Sequence, residues 1–380
     1  MKKLRTNLLL IAVFALVLTG CLSENNYPDT PVVGSGDITL SLRVETPDTR
    51  GASLPVEDGD LIEFTSGDLF LVSITGQIIH HFSIVERGGA ATDFGLYIIN
   101  RGDFDAGAVT IPDIWSGVTE AIIVGNPSNI PLPTNAANIG SRLINVIDQH
   151  CAMRVNLFGR APFLDVGGTR RATVPLSTNV ARLEVGEIRA IGSNVTQFVI
   201  DGIFIDSFFS RARIDGAIDP TSWTYRGLNA DAFAVGQGYY LATSNNALFD
   251  IFPTGLTGYS GNNRSVTPVL YGGGNDYVWG YQLFAQTNNA AAPTHLPAVV
   301  IRFSEVTVAG EAAPRVNQFV TIHDFWIGNQ MLTGIRAGRV YHIPLIEFDE
   351  FDLSNRPNET LPVIRSVQVQ TKPLNTKTNN

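Results

Sequence analysis

Among the residues of this 380-residue chain that could do chemistry, the densest carboxylate group is Glu347, Asp349, Glu350 and Asp352. A pair of these held about 5 Å apart would suit an acid and nucleophile for glycoside hydrolysis. Acidic residues at that density equally serve as a solvated edge that resists unwanted strand pairing, and this second reading is preferred. Asp103 and Asp105 lack the other ligands of a twelve-residue calcium loop. Arg101-Gly102-Asp103 is a tripeptide that a chain of this composition spells by chance. Gly272-Gly273-Gly274 has no following Lys-Ser/Thr and is read as a hairpin loop, not a phosphate cradle. The six histidines form no metal-ligand spacing; His80 and His81 are adjacent and in a strand face opposite sides. Cys151 beside His150 is no dyad, because neighbours in sequence rarely converge, and burial is its default fate. The residues point to no catalytic site, no metal and no cofactor.

Cys21 carries a different chemistry. Lys2, Lys3 and Arg5 precede an unbroken apolar run of eleven residues, Leu8 to Leu18, short of the roughly 20 that a spanning helix needs. Leu18-Thr19-Gly20-Cys21 then has the form of a bacterial lipobox, in which Cys21 is acylated on sulfur and becomes the new N-terminus. More than one acyl chain makes such anchoring stable. Residues 1–20 are therefore read as a lipoprotein signal peptide and 21–36, rich in polar residues, Pro and Gly, as a flexible linker. Leu22, where aspartate is absent, resembles lipoproteins sent to the outer membrane.

The elements beyond the linker read as strands. In Asp37–Val44 the apolar Ile38, Leu40, Leu42 and Val44 alternate with Thr39, Ser41 and Arg43, which is period two. Extended readings also fit 68–74, 121–124, 180–185, 197–209, 299–308, 339–345 and 363–371. The best short helical pattern is Asn138–Cys151, with Ile139, Leu143, Ile144 and Ile147 near one face. Many short strands with Gly and Asn turns predict an all-β chain of two sandwiches: 37–172, then 173–371 with the break near Gly167–Ala172, and a polar tail over 372–380. The chain is 44% hydrophobic and 16% charged, which supports a core and excludes disorder. Its net charge of −9 gives no reason to hold nucleic acid. Lysine stands only at positions 2, 3, 372 and 377, so lysine–asparagine isopeptide crosslinks have no interior lysine to use.

A lipobox, an alternating strand and then Thr46-Pro47-Asp48-Thr49-Arg50-Gly51-Ala52 together resemble the fimbrillin family of Bacteroidales, the subunits of type V pili. Ala121-Ile122-Ile123-Val124-Gly125-Asn126-Pro127, Val180-Ala181-Arg182-Leu183-Glu184-Val185 and Ala337-Gly338-Arg339-Val340-Tyr341-His342-Ile343 are similar to the same family, whereas Val367-Gln368-Val369 lacks the tryptophan that often follows its last strand. The resemblance implies two transthyretin-like β-sandwich domains in tandem, a surface location at the outer membrane and assembly by donor-strand exchange. An arginine-specific protease would cut between Arg50 and Gly51, the strand carrying Ile38, Leu40, Leu42 and Val44 would leave, and another subunit would fill the groove. Val363, Val367 and Val369 are the candidate donors. Partners would be other pilus subunits and a host or bacterial surface ligand. The alternative is a monomeric surface lipoprotein that binds glycans through the aromatic residues of its second half, Trp223, Tyr225, Tyr239, Tyr240, Tyr259, Tyr271, Tyr277, Trp279 and Tyr281.

Overall fold

A computed structural model describes residues 35–44, 62–86, 91–126, 133, 135–149, 155–225, 248–268, 278–287, 296–357, 367–373 and 376–377. The chain is all-β, built of several sheets, and the stretches read as extended in the sequence all contain strands.

The first half supplies β1 (Ser35–Val44), β2 (Gly67–Ser73), β3 (Ile78–Val85), β4 (Ile98–Asn100), β5 (Val109–Trp115), β6 (Val118–Gly125), β7 (Leu157–Pro162) and β8 (Thr169–Thr178). They form one sheet in the order β4-β3-β2-β6-β7-β8-β1-β5, with a short strand, Leu164–Val166, also paired to β8. Among the described residues β4 and β5 are the end strands of this order. β5, an end strand, contains Pro112, which lacks an N–H and is tolerated where one side of a strand has no neighbour. At the β7–β8 corner two backbones come so close that a Cβ on Gly159 would stand 2.2 Å from the carbonyl oxygen of Pro175. Only glycine fits such an approach.

The second half supplies β9 (Val180–Ala190), β10 (Val195–Asp206), β11 (Leu248–Tyr259), β12 (Trp279–Phe284), β13 (Ala298–Val308), β14 (Arg315–Ile322), β15 (Arg339–Phe348) and β16 (Gln370–Pro373). One sheet runs β11-β10-β13-β14. The other has β12 and the short strand Ser265–Val266 on one side of β9, then β15 and β16 on its far side. Phe348 of the second sheet meets Phe198 and Phe303 of the first at ring-centroid distances of 5.1 and 4.8 Å. All three rings are fully buried, so the two sheets face each other across a shared aromatic core.

Four expectations need correction. The break at 172–173 falls inside β8, whose parallel pairing with β1 holds Thr173 to Leu176 in the first sheet; the change of sheet comes at Asn179, between β8 and β9. β1 starts at Ser35, two residues into the stretch read as the end of the linker, because Ser35 and Gly36 pair with Trp115 and Ile114. The tail from Lys372 is partly sheet: Lys372 and Pro373 pair with Val340 and Arg339, and Thr376–Lys377 pairs in parallel with Ile62–Glu63 near the start of the chain. The helix over 138–151 is a single turn, Ala137–Gly140, after which Leu143–Asn145 pairs with Arg211–Arg213. Ile144 is buried by that pairing, so its apolar side serves a strand and not a helical face.

Candidate functional site

The slot that holds β1 is the best-defined site. β1 runs parallel to β8, with Ile38 opposite Arg170, Leu40 opposite Ala172 and Leu42 opposite Val174. On its other side it runs antiparallel to β5, where Ile38 faces Ile111 and Leu40 faces Val109. A bulge between Gly36 and Ile38 adjusts the register beside Asp113, a non-glycine residue at φ 54°. Ile38 and Leu40 have no solvent exposure, Leu42 is half-buried and Arg43 is exposed. Polar residues of the other face bond across both walls: Ser41 Oγ lies 2.9 Å from Thr173 Oγ1, and Thr39 Oγ1 lies 3.4 Å from Thr110 Oγ1.

Among the described residues β5 has no sheet neighbour but β1, which joins it to the rest of the ladder. A second connection is made by a side chain. The guanidinium of Arg170 donates to the carbonyls of Ile114 (3.0 Å), Trp115 (3.3 Å), Ser116 (3.0 Å) and Val118 (3.0 Å), where β5 turns into β6. Burial pulls the Arg170 pKa below the usual arginine value, and Asp165 opposes that shift. Sequence reasoning did not find Arg170, because its partners lie more than fifty residues away and are all backbone.

Cys21, Arg50 and Gly51 lie outside the described residues, as do Val363, Cys151, His150 and the Gly272–Gly274 loop; the side chain of Val44 is likewise outside them. Val367 and Val369 are buried with Gln368 and Gln370 exposed, which is strand alternation. They are engaged within their own chain: Val367 pairs in parallel with Phe325, and the Val369 N–H donates to Trp326 O at 2.7 Å. That ladder with Phe325–Ile327 is two pairs long.

The carboxylates at the end of β15 are spread over separate structural tasks. Glu347 accepts from Arg189 at 2.7 Å, Asn194 donates to Glu350, and Asp352 and Asp349 accept from the Asp349 and Phe351 N–H groups of their own turn. Arg101 and Asp103 do not form an open recognition loop. They lie in a short helix, Arg101–Asp105, with Arg101 paired to Asp105 at 3.2 Å and Thr92 donating to Asp103. His81 bonds Asp68 at 2.7 Å and stacks on Phe70, whereas burial lowers the pKa of His80 on the opposite face. Of the aromatic group, Trp279 and Tyr281 are core residues, Trp279 lying against Phe252 and Tyr281 donating to Asp250. Trp223 packs edge-on to Phe209, while Tyr225 and Tyr259 are exposed. Tyr239, Tyr240, Tyr271 and Tyr277 are outside the described residues.

No protein-family model and no curated sequence matches the chain. Solved structures do. A candidate cell adhesion protein from Bacteroides eggerthii superposes with a TM-score of 0.51 at 14% identity, over 90% of this chain and 96% of that one. A candidate cell adhesion protein from Parabacteroides distasonis gives 0.52 at 12% identity, over 91% and 99%. A fimbrilin from Porphyromonas gingivalis gives 0.51 at 8% identity, again over 91% and 99%. At these identities the likeness is one of fold, and it extends over nearly the whole of each chain.

Proposed function

We propose that this chain is a structural subunit or adhesin of a surface pilus, exported as a lipoprotein on Cys21, carried on the outer membrane and assembled by protease-triggered donor-strand exchange. The observation that carries the reading is the seating of β1 between β8 and β5, with Ile38 and Leu40 sealed from solvent. The fold shared with a fimbrilin and with candidate adhesion proteins supports it, and so does the fimbrillin-like pattern of the sequence, including the transthyretin-like sandwiches that pattern implies.

The energetics suit an exchange. Ile38 and Leu40 together contribute about 3–6 kcal/mol of apolar burial, and both walls offer ladder hydrogen bonds. An emptied slot is therefore adhesive, and a strand from a second subunit restores what leaves with the first. To serve, the candidate donors Val367 and Val369 must quit a two-pair ladder and their own buried positions beside β16, and the new slot has to restore that burial. Cleavage between Arg50 and Gly51 would free β1, since both follow it in the chain and lie in a segment rich in turn residues.

The test is N-terminal sequencing of material sheared from cells, with Arg50→Ala beside the natural chain. A natural chain starting at Gly51, and a variant that retains residues 21–50 and stays unpolymerised, is the expected result. Polymer formed by Arg50→Ala at the normal rate removes the cleavage step. The monomeric glycan-binding alternative loses Trp279 and Tyr281, its central aromatic residues, to the core.

A further inference from the structure

In the second half of the chain, a cleft of about 430 Å³ opens between the hairpin around Gln330–Met331 and the loop leading into β15. That volume is of small-molecule size. Arg336 and Arg339 both line it, with Tyr341, Gln330, Thr333 and Thr371, and with Ile327, Met331 and Leu332 on its apolar side. Arg336 is exposed and Arg339 half-buried. Neither guanidinium has a carboxylate partner among the described residues, in a chain whose net charge is −9 and in which Arg101, Arg160, Arg182, Arg189, Arg211, Arg213, Arg302 and Arg315 each have one.

The turn between Arg336 and Arg339, the first residue of β15, is fixed. Gly338, at φ 71°, turns the chain between Arg336 and Arg339, a conformation suited to glycine. The Arg336 N–H donates to Tyr341 Oη at 2.8 Å, which ties the loop to buried Tyr341 on β15. That bond uses the phenol oxygen as acceptor, and its O–H proton has no acceptor among the described residues. Two forked cations and a spare hydroxyl donor thus border one cavity. Arginine pairs of this kind recognise planar carboxylates by parallel hydrogen bonds.

We propose that this cleft binds a sugar acid, a pyranose bearing a carboxylate, at the terminus of a surface glycan. The carboxylate is held by Arg336 and Arg339. The ring hydroxyls meet Gln330, Thr333, Thr371 and the Tyr341 O–H, and the C–H face of the ring lies on Ile327, Met331 and Leu332. An acidic peptide is the weaker fit, because a peptide backbone needs a length of open strand to pair with, and Gln330–Met331 is only two residues long. The proposal goes beyond pilus assembly and holds whether or not β1 is exchanged.

Calorimetric titration of the full-length chain with glucuronic acid, N-acetylneuraminic acid, glucose and hexaglutamate tests it. At least one sugar acid is expected to bind with one-to-one stoichiometry, at least tenfold more tightly than glucose. Arg336→Gln and Arg339→Gln should each weaken that binding about tenfold or more, the scale of a lost charge-assisted pair. Arg336→Lys should recover only part, since it restores charge without the fork. Far-ultraviolet circular dichroism and melting temperature equal to those of the natural chain confirm that each variant is folded. Failure of both sugar acids to bind, or binding that folded Arg336→Gln and Arg339→Gln retain in full, overturns the proposal. Tighter binding of hexaglutamate than of the sugar acids overturns it in favour of a peptide ligand.

Discussion

Arg170 stands opposite Ile38 in the parallel ladder, and its guanidinium reaches the carbonyls of Ile114, Trp115, Ser116 and Val118 on the far wall of the slot. The residue therefore joins β8 to the β5–β6 turn by a route that does not pass through β1. Hydrogen bonds from a charged donor are stronger than neutral ones, and these are partly shielded from water.

Arg170→Ala is expected to destabilise the first sheet by about 2–3 kcal/mol, and Arg170→Lys by less, because a lysine cannot address four carbonyls at once. Urea denaturation followed by tryptophan fluorescence reads the shift. Identical midpoints for all three chains would show that the bonds contribute nothing net.

Burial along β1 is uneven, and stability should follow it. Leu40→Ala, at a site with no exposure, is expected to cost about 2–5 kcal/mol. Leu42→Ala, at a half-buried site, should cost clearly less. Equal losses at the two positions would mean that the slot does not grip the strand as its contacts require.

Deleting residues 35–44 leaves β5 without its sheet neighbour and uncovers Val109 and Ile111. The shortened chain is expected to self-associate on size-exclusion chromatography and to bind a hydrophobic dye. Addition of a synthetic peptide of residues 35–44 should return it to the monomer. A shortened chain that stays monomeric and dye-negative would deny that β1 fills an apolar slot.

Gly159→Ala places a methyl against the Pro175 carbonyl at the β7–β8 corner, where the obstacle is backbone and cannot swing aside. A loss of about 2–4 kcal/mol is expected, at the upper end of overpacking costs. The same denaturation experiment measures it; a change within about 0.5 kcal/mol, typical of ordinary surface sites, would mean that the corner relaxes freely.

Asp201 on β10 sits 3.2 Å from Arg302, yet desolvation outweighs that attraction and its pKa is raised above 3.8. In the window just above 3.8 the folded chain therefore holds more of this proton than the unfolded chain. Its contribution to stability is present below that window and is lost as pH rises through it. Asp201→Asn should flatten that fall in a series of denaturation curves from pH 3.5 to 6. A slope unchanged by the substitution would assign the pH dependence elsewhere.

The strands that alternate cleanly were legible in the sequence: Ile38 and Leu40 stand out against Thr39 and Ser41, and the structure pairs that stretch throughout. β5 was not, because Pro112 and Asp113 interrupt its pattern and its position at a sheet end is what permits them. β11 was hidden for a related reason, with Pro253, Gly255 and Gly258 inside it; a Cβ at Gly258 would press on the Phe198 ring at 2.3 Å. Leu143 and Ile144 read as one face of a helix because a short apolar cluster fits either period, and only Arg211–Arg213, distant in sequence, decides between them. Arg339 was read only as part of a strand, and neither it nor Arg336 signalled a binding site. Two arginines near a glycine are unremarkable until the fold sets Met331 and Thr371 across from them.

The two walls around β1 are not equivalent, since β8 runs alongside it and β5 runs against it. Slanted and perpendicular ladders present their donors and acceptors at different spacings, so a guest inserted end for end would exchange the two ladder types and lose the register that Ile38 and Leu40 keep with both walls. If subunits join through this slot, every newcomer must dock with the same heading. The filament then has a head and a tail, and it elongates by adding each unit in one orientation.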